Sequence, residues 1–149
     1  AILRNPVDRA YSHWKMNRKQ GIDALSFEDA IAQESERAKE RLPYQDLVYS
    51  YTDRGFYSEQ IRRYQRYFKD HHLLFVMYDD LKNKPTETLE KISAFLSVPP
   101  LHIPFEQVHA SEFHEPMKES TRQQLQGLYH YDIREVERLL GWNCAHWLS

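Results

Sequence analysis

Leu3-Arg4-Asn5-Pro6-Val7-Asp8-Arg9-Ala10-Tyr11-Ser12 is the stretch on which the fold turns. A short apolar run, Ala1-Ile2-Leu3, ends at an arginine, Asn-Pro turns the chain, and a helical pattern then places a serine eight residues after Arg4. Asn5 is a good N-cap and Pro6 suits the first helical position, so a helix is expected to begin here. A strand end that runs into a helix N-terminus is a ready anion site, because free backbone N–H groups and the helix dipole converge there. Arg4 adds a planar fork that matches phosphate oxygens, and Ser12 adds a hydroxyl donor. On the residues alone a second reading stays open, with Arg4 a surface ion-pair partner and Ser12 an ordinary helix residue.

Three apolar residues are fewer than the roughly five or six of an average strand. The expectation is therefore that the chain opens inside a strand and that the earlier part of the domain lies upstream. The glycines Gly21, Gly55, Gly127 and Gly141 are scattered. Neither a G-x-x-x-x-G-K-[ST] phosphate loop nor a G-x-G-x-x-G fingerprint can be built from them. The pattern is that of half a ligand site.

With 149 residues the chain has the length of one domain and enough material for a core. A hydrophobic content of 41% and an aromatic content of 13% indicate a folded chain. Twenty basic residues against 22 acidic ones give a formal charge of −2, which is not the basic footprint of a nucleic-acid binder. One cysteine, Cys144, excludes an internal disulfide and fits a reducing compartment, so a cytoplasmic location is favoured. No apolar run approaches the ~20 residues of a membrane span.

The first helix is read over Pro6–Lys19. A second begins at Ser26, where Ser26 and Asp29 form a capping-box-like pair, and continues to Glu40 before Pro43. An aromatic, polar connector from Leu42 to Arg54 follows. A third helix after Gly55 places Tyr57, Ile61, Tyr64 and Phe68 on one inward face. Leu73-Leu74-Phe75-Val76-Met77-Tyr78 is a continuous apolar run, the pattern of a strand covered on both faces in a parallel sheet, closed by Asp79-Asp80. A helix opening near Pro85 carries Leu89, Ile92, Phe95 and Leu96 inward. After a loop from Leu101 to Pro116, one helix carries Leu125 and Leu128. A separate last helix runs from Asp132, with Glu135 as its capping partner, to Gly141, and buries Ile133, Val136, Leu139 and Leu140. Two strands, each followed by helices, make an α/β fold with a parallel sheet.

Three stretches carry a resemblance. The opening motif resembles the 3′-phosphate-binding motif of PAPS-dependent sulfotransferases. Arg54-Gly55-Phe56-Tyr57-Ser58-Glu59-Gln60-Ile61 and Phe75-Val76-Met77-Tyr78-Asp79-Asp80-Leu81 resemble that family's next helix and strand, in order. The ending from Tyr131-Asp132-Ile133 to Trp147-Leu148 is similar to soluble bacterial members, and the chain also resembles heparan-sulfate-like sulfotransferase domains. The resemblance implies the C-terminal part of a P-loop-like three-layer fold, a parallel β-sheet flanked by helices. It also implies transfer of a sulfuryl group from 3′-phosphoadenosine 5′-phosphosulfate (PAPS) to a hydroxyl or amine. The acceptor class it allows is small-molecule, carbohydrate, lipid or protein-bound. It assigns the 3′-phosphate to Arg4 and Ser12, and it matches Tyr78 to a tyrosine stacking near the adenine. Ser111 falls in a late donor-contacting loop, His109-Ala110-Ser111-Glu112-Phe113-His114-Glu115-Pro116-Met117-Lys118. There the family's Arg-Lys-Gly pattern is absent, Glu115 replaces a usual lysine, and Lys118 is the substitute. Gly55 and Tyr57 match a turn near the donor pocket. Their residue-level reading is a helix start with an unusual φ and a core aromatic.

The family's phosphate loop and catalytic base come from upstream of this motif, so no catalytic residue is assigned in this chain, and His109 and His114 read as loop histidines. His71-His72 are adjacent and cannot share a helix face, so no metal is expected. Arg62-Arg63-Tyr64-Gln65-Arg66-Tyr67 reads as a solvated basic face with Tyr64 inward. Two rival readings are a nucleotide-dependent small-molecule kinase of related fold, and a non-catalytic nucleotide-binding or scaffold domain.

Overall fold

Residues 1–40, 42–44, 46–100 and 116–149 are described by this computed structural model, and they divide into two compact units, the chain passing from one to the other after Arg4 and again after Ile61. The first unit contains Ala1–Arg4 and the chain from Arg62. Its sheet pairs β1 (Ile2–Leu3) in parallel with β2 (Val76–Met77), with Ile2 opposite Val76 and Leu3 opposite Met77. The parallel pairing expected from the apolar run is present, but it covers only Val76 and Met77 of that run, because β1 offers two residues to pair with.

Helix α5 (Tyr78–Asn83) follows β2 without a loop, an element absent from the sequence reading. β2 ends at Met77, and Asp79 and Asp80 lie in the first turn of α5, where carboxylates favour the dipole. Helix α6 (Pro85–Leu96) opens at Pro85 as expected. Its inward stripe is different: Thr88 and Ser93 are buried, Leu89 and Ile92 are half-buried, and Phe95 and Leu96 are exposed.

The second unit contains Asn5–Ile61 and the chain's last segment. Helix α1 spans Pro6–Lys19, with the boundaries its sequence predicts, because Asn5 accepts the Val7 N–H at 3.0 Å and Pro6 has no N–H to lose. Val7, Ala10 and Trp14 form its buried stripe, and the Trp14 and Phe27 rings lie 5.6 Å apart.

Ser26 caps α2 (Phe27–Ala32) by accepting the Asp29 N–H at 3.1 Å. The helix does not run on to Glu40: it breaks at Gln33, and α3 (Glu34–Lys39) begins. Beyond the break the buried Glu34 carboxylate accepts N–H groups from Thr52 at 2.8 Å and Asp53 at 2.9 Å, a contact reaching across to the connector.

Helix α4 (Tyr57–Tyr67) buries Tyr57 and Ile61, but Tyr64 is 50% and Phe68 49% exposed, so the expected inward stripe stops halfway. The two helices expected near the end are one, α7 (Glu119–Leu140), and Gly127 does not interrupt it. Leu128 on α7 is exposed, and Leu139 and Leu140 are half-buried, while Leu125, Tyr129, Ile133 and Val136 are buried. The capping signal at Asp132 is real but serves another helix. From mid-α7 its carboxylate accepts the Tyr57 N–H at 2.8 Å, the Ser58 N–H at 3.2 Å and the Ser58 hydroxyl at 2.5 Å. Gly141 ends α7 in the left-handed region at φ +66°, as its sequence position suggests.

Candidate functional site

Arg4 is the residue after β1, and Tyr78 is the residue after β2, where α5 begins. Its guanidinium carbon lies 4.9 Å from the centre of the Tyr78 ring. Such a cation–π contact holds the guanidinium over one face of the tyrosine. Both residues are half-buried at the carboxyl ends of parallel strands, where ligands gather in open α/β sheets. The structure thus brings together, within one unit, two residues assigned from stretches more than seventy positions apart.

Ser12 belongs to the other unit, exposed on the second turn of α1. Ser111, with His109, His114 and Glu115, lies outside the described residues.

The α1 terminus differs from the open anion site expected of it. Pro6 carries no N–H, the Val7 N–H is taken by the Asn5 side chain, and Asn5, Pro6 and Val7 are buried. Asp8 adds a carboxylate to the first turn and pairs with Arg122 at 3.2 Å. The attraction for an anion therefore has to come from side chains.

Gly55 lies in a short 3-10 turn (Asp53–Gly55), and its φ is not among the positive ones. The expectation of an unusual φ is corrected: the glycine is required by proximity, since a Cβ there would stand 2.6 Å from Tyr129 Oη and 2.7 Å from Cζ. Tyr57 is a core residue, its ring 6.4 Å from that of Trp147.

The sequence reading missed a polar stripe on α1. Arg9, His13 and Asn17, spaced four apart, face the connector on a different side of the helix from Val7, Ala10 and Trp14. Arg9 donates to the Tyr51 carbonyl, and Asn17 donates to the Val48 carbonyl at 2.7 Å and the Tyr51 hydroxyl at 3.0 Å. The His13 ring meets the Tyr51 ring edge-on at 5.0 Å. Burial and the charges of Arg9 and Arg54 lower the His13 pKa to about 4, with Asp46 opposing, so the imidazole is neutral near pH 7. The signal that could have found this stripe is its four-residue spacing against an apolar stripe of the same period.

Asp23 anchors the same region. Burial alone would raise its carboxyl, but hydrogen bonds from Arg37, the Leu25 N–H and Tyr51 outweigh burial and hold it below the usual carboxylate range. The buried Cys144 thiol is pushed up to about 12 by burial and by Glu137, and is inert at neutral pH. Among the described residues no cluster of His, Cys, Asp or Glu could hold a metal ion, and no helix is long and apolar enough to cross a membrane.

The α/β architecture agrees with what related proteins show. The family model for the sulfotransferase domain matches residues 1–137, and the chain belongs to that family. It is 30% identical over 102 residues to the human bifunctional heparan sulfate N-deacetylase/N-sulfotransferase 2, and 31% identical over 104 residues to the bovine protein of the same name. Each match covers 66% of this chain and 11% of the relative, so the chain spans about a tenth of those proteins. A crystal structure of a sulfotransferase from Alicyclobacillus acidocaldarius superposes with a TM-score of 0.86 at 24% identity, over 99% of this chain and 56% of that one. The fold is the α/β, P-loop-like fold of sulfotransferases.

Proposed function

We propose that this chain is the C-terminal portion of a single sulfotransferase domain, carrying the part that holds the 3′-phosphate of PAPS. The observation that carries the reading is the Arg4–Tyr78 stack at the carboxyl ends of the paired strands, directly before the Asn5-capped helix. A guanidinium held over an aromatic ring has less freedom to lose when its fork takes a phosphate. Arg4 and Ser12 bind the 3′-phosphate, the group that separates PAPS from ATP-like nucleotides. Tyr78 packs against the adenine with the ring face that Arg4 leaves open, and Ser111 contributes a further hydroxyl.

When bound, the donor supplies an activated sulfuryl group: an acceptor oxygen or nitrogen attacks sulfur in line, the bond to the 5′-phosphate oxygen breaks, and 3′,5′-ADP leaves. Arg4 and Ser12 position the donor and do not touch the sulfur. The acceptor's proton goes to a base in the upstream part of the domain. The name of the mammalian relatives brings carbohydrate to the front of the acceptor classes.

Loss of one charge-assisted phosphate contact costs about 1.5–3 kcal/mol, which is roughly a tenfold to hundredfold rise in the donor's KM for Arg4→Ala. An unchanged donor KM in that variant removes the assignment.

A further inference from the structure

A cavity of about 430 Å³ in the second unit is lined by none of the residues assigned to the donor; its lining includes Ile22, Asp23, Gln33, Arg37, Glu40 and Tyr49. Its walls are held in place from behind. Arg37 lies over the Tyr49 ring with its guanidinium carbon 4.5 Å from the ring centre, and pairs at 2.7 Å with Asp23, whose side chain is 2% exposed. Asp23 in turn accepts from the Tyr51 hydroxyl at 2.8 Å. Tyr49 is fixed at both ends: its N–H goes to Asp46 at 3.2 Å and its hydroxyl donates to the Ile22 carbonyl at 3.4 Å. The break between α2 and α3 at Gln33 falls on this cavity, with the exposed Gln33 amide and Glu40 carboxylate among the lining groups.

We infer that this cavity is a subsite for an uncharged, polyhydroxylated ring, a sugar unit of the acceptor. The volume lies in the range of small-ligand sites, and the wall pairs a flat aromatic–guanidinium stack with the aliphatic Ile22. Sugar hydroxyls both donate and accept, which suits a carboxylate, an amide and a guanidinium with N–H groups beyond those given to Asp23. Charge decides against an anion. The lining has one cation, Arg37, already neutralised by Asp23, and a second carboxylate in Glu40, so a phosphate, sulfate or uronate meets net negative charge. The pre-held wall limits the ordering cost of binding.

The inference rests on the sulfotransferase reading for its purpose, but binding is measurable without turnover. Saturation-transfer NMR on the full-length protein, with methyl glucoside and glucuronate as probes, tests it alongside the double variant Gln33→Ala/Glu40→Gln. Both substituted side chains are exposed, and the Tm reads whether the variant folds. The expected result is transfer to methyl glucoside, weaker transfer to glucuronate, and at least a fivefold loss of methyl glucoside affinity in the variant at unchanged Tm. Absence of transfer to methyl glucoside, preference for glucuronate, or equal binding by native protein and variant overturns the inference. Binding of 3′,5′-ADP is read in parallel: its loss in the native protein counts against the donor reading and leaves the sugar result standing.

Discussion

A methyl group at Gly55 would stand 2.6 Å from the Tyr129 hydroxyl oxygen, and Tyr129 is held by its own bond to the Thr52 carbonyl at 2.8 Å. Neither partner can retreat without losing buried packing, so Gly55→Ala is expected to destabilise by about 1–3 kcal/mol. Urea unfolding measures this, and a change within about 0.5 kcal/mol would show the ring to be free to move. His13 makes a second residue-level prediction. Its folded pKa of about 4 lies below the roughly 6.5 of an unfolded histidine. Between those values the unfolded chain binds the proton and the folded chain does not, so stability rises with pH through this window and falls on acidification. His13→Asn is expected to flatten the dependence of Tm on pH between about 6.5 and 4; an unaltered slope contradicts the account. At this scale the spacing in the sequence singles out Arg4 and Ser12 as the candidates. It could not show that Arg4 stacks on Tyr78, because that contact depends on a strand register between distant segments. Nor could it show why Gly55 is a glycine, since the reason lies on α7.

Among the elements, α4 begins on a carboxylate lent by α7. Asp132 takes both the Tyr57 and Ser58 N–H groups, and its removal leaves two buried donors at a helix start. Asp132→Ala is expected to cost about 2–3 kcal/mol, read by thermal unfolding, with Asp132→Asn costing less because its side-chain oxygen still accepts. Equal and small losses in both variants would mean that water caps α4 unaided. The Asp132–Glu135 spacing looks like a capping box starting a helix, and only packing tells it from a carboxylate reaching sideways out of a continuous one. The start of α1 was legible because Asn5-Pro6 is a local signal, complete within adjacent residues. The break at Gln33 was not, because the carboxylate beyond it bonds a connector eighteen residues away.

For the whole molecule, the fold class followed from two features that survive in the structure, an apolar run entering a parallel sheet and a strand leading into a capped helix. The family match over residues 1–137 and the TM-score of 0.86 agree with that reading. Half of the stripe read on α4 stays exposed, because helical periodicity marks which face is apolar and not how far along the helix that face is covered. The central claim is the proposal that the side chains of Arg4, at the end of β1, and Ser12, on α1, hold the 3′-phosphate of a sulfuryl donor. Calorimetric binding of 3′-phosphoadenosine 5′-phosphate against 5′-AMP by the full-length protein, with Arg4→Ala alongside, tests it most directly. Tight binding that requires both the 3′-phosphate and Arg4 is the predicted result; equal affinity for the two nucleotides, or binding indifferent to Arg4, would contradict it.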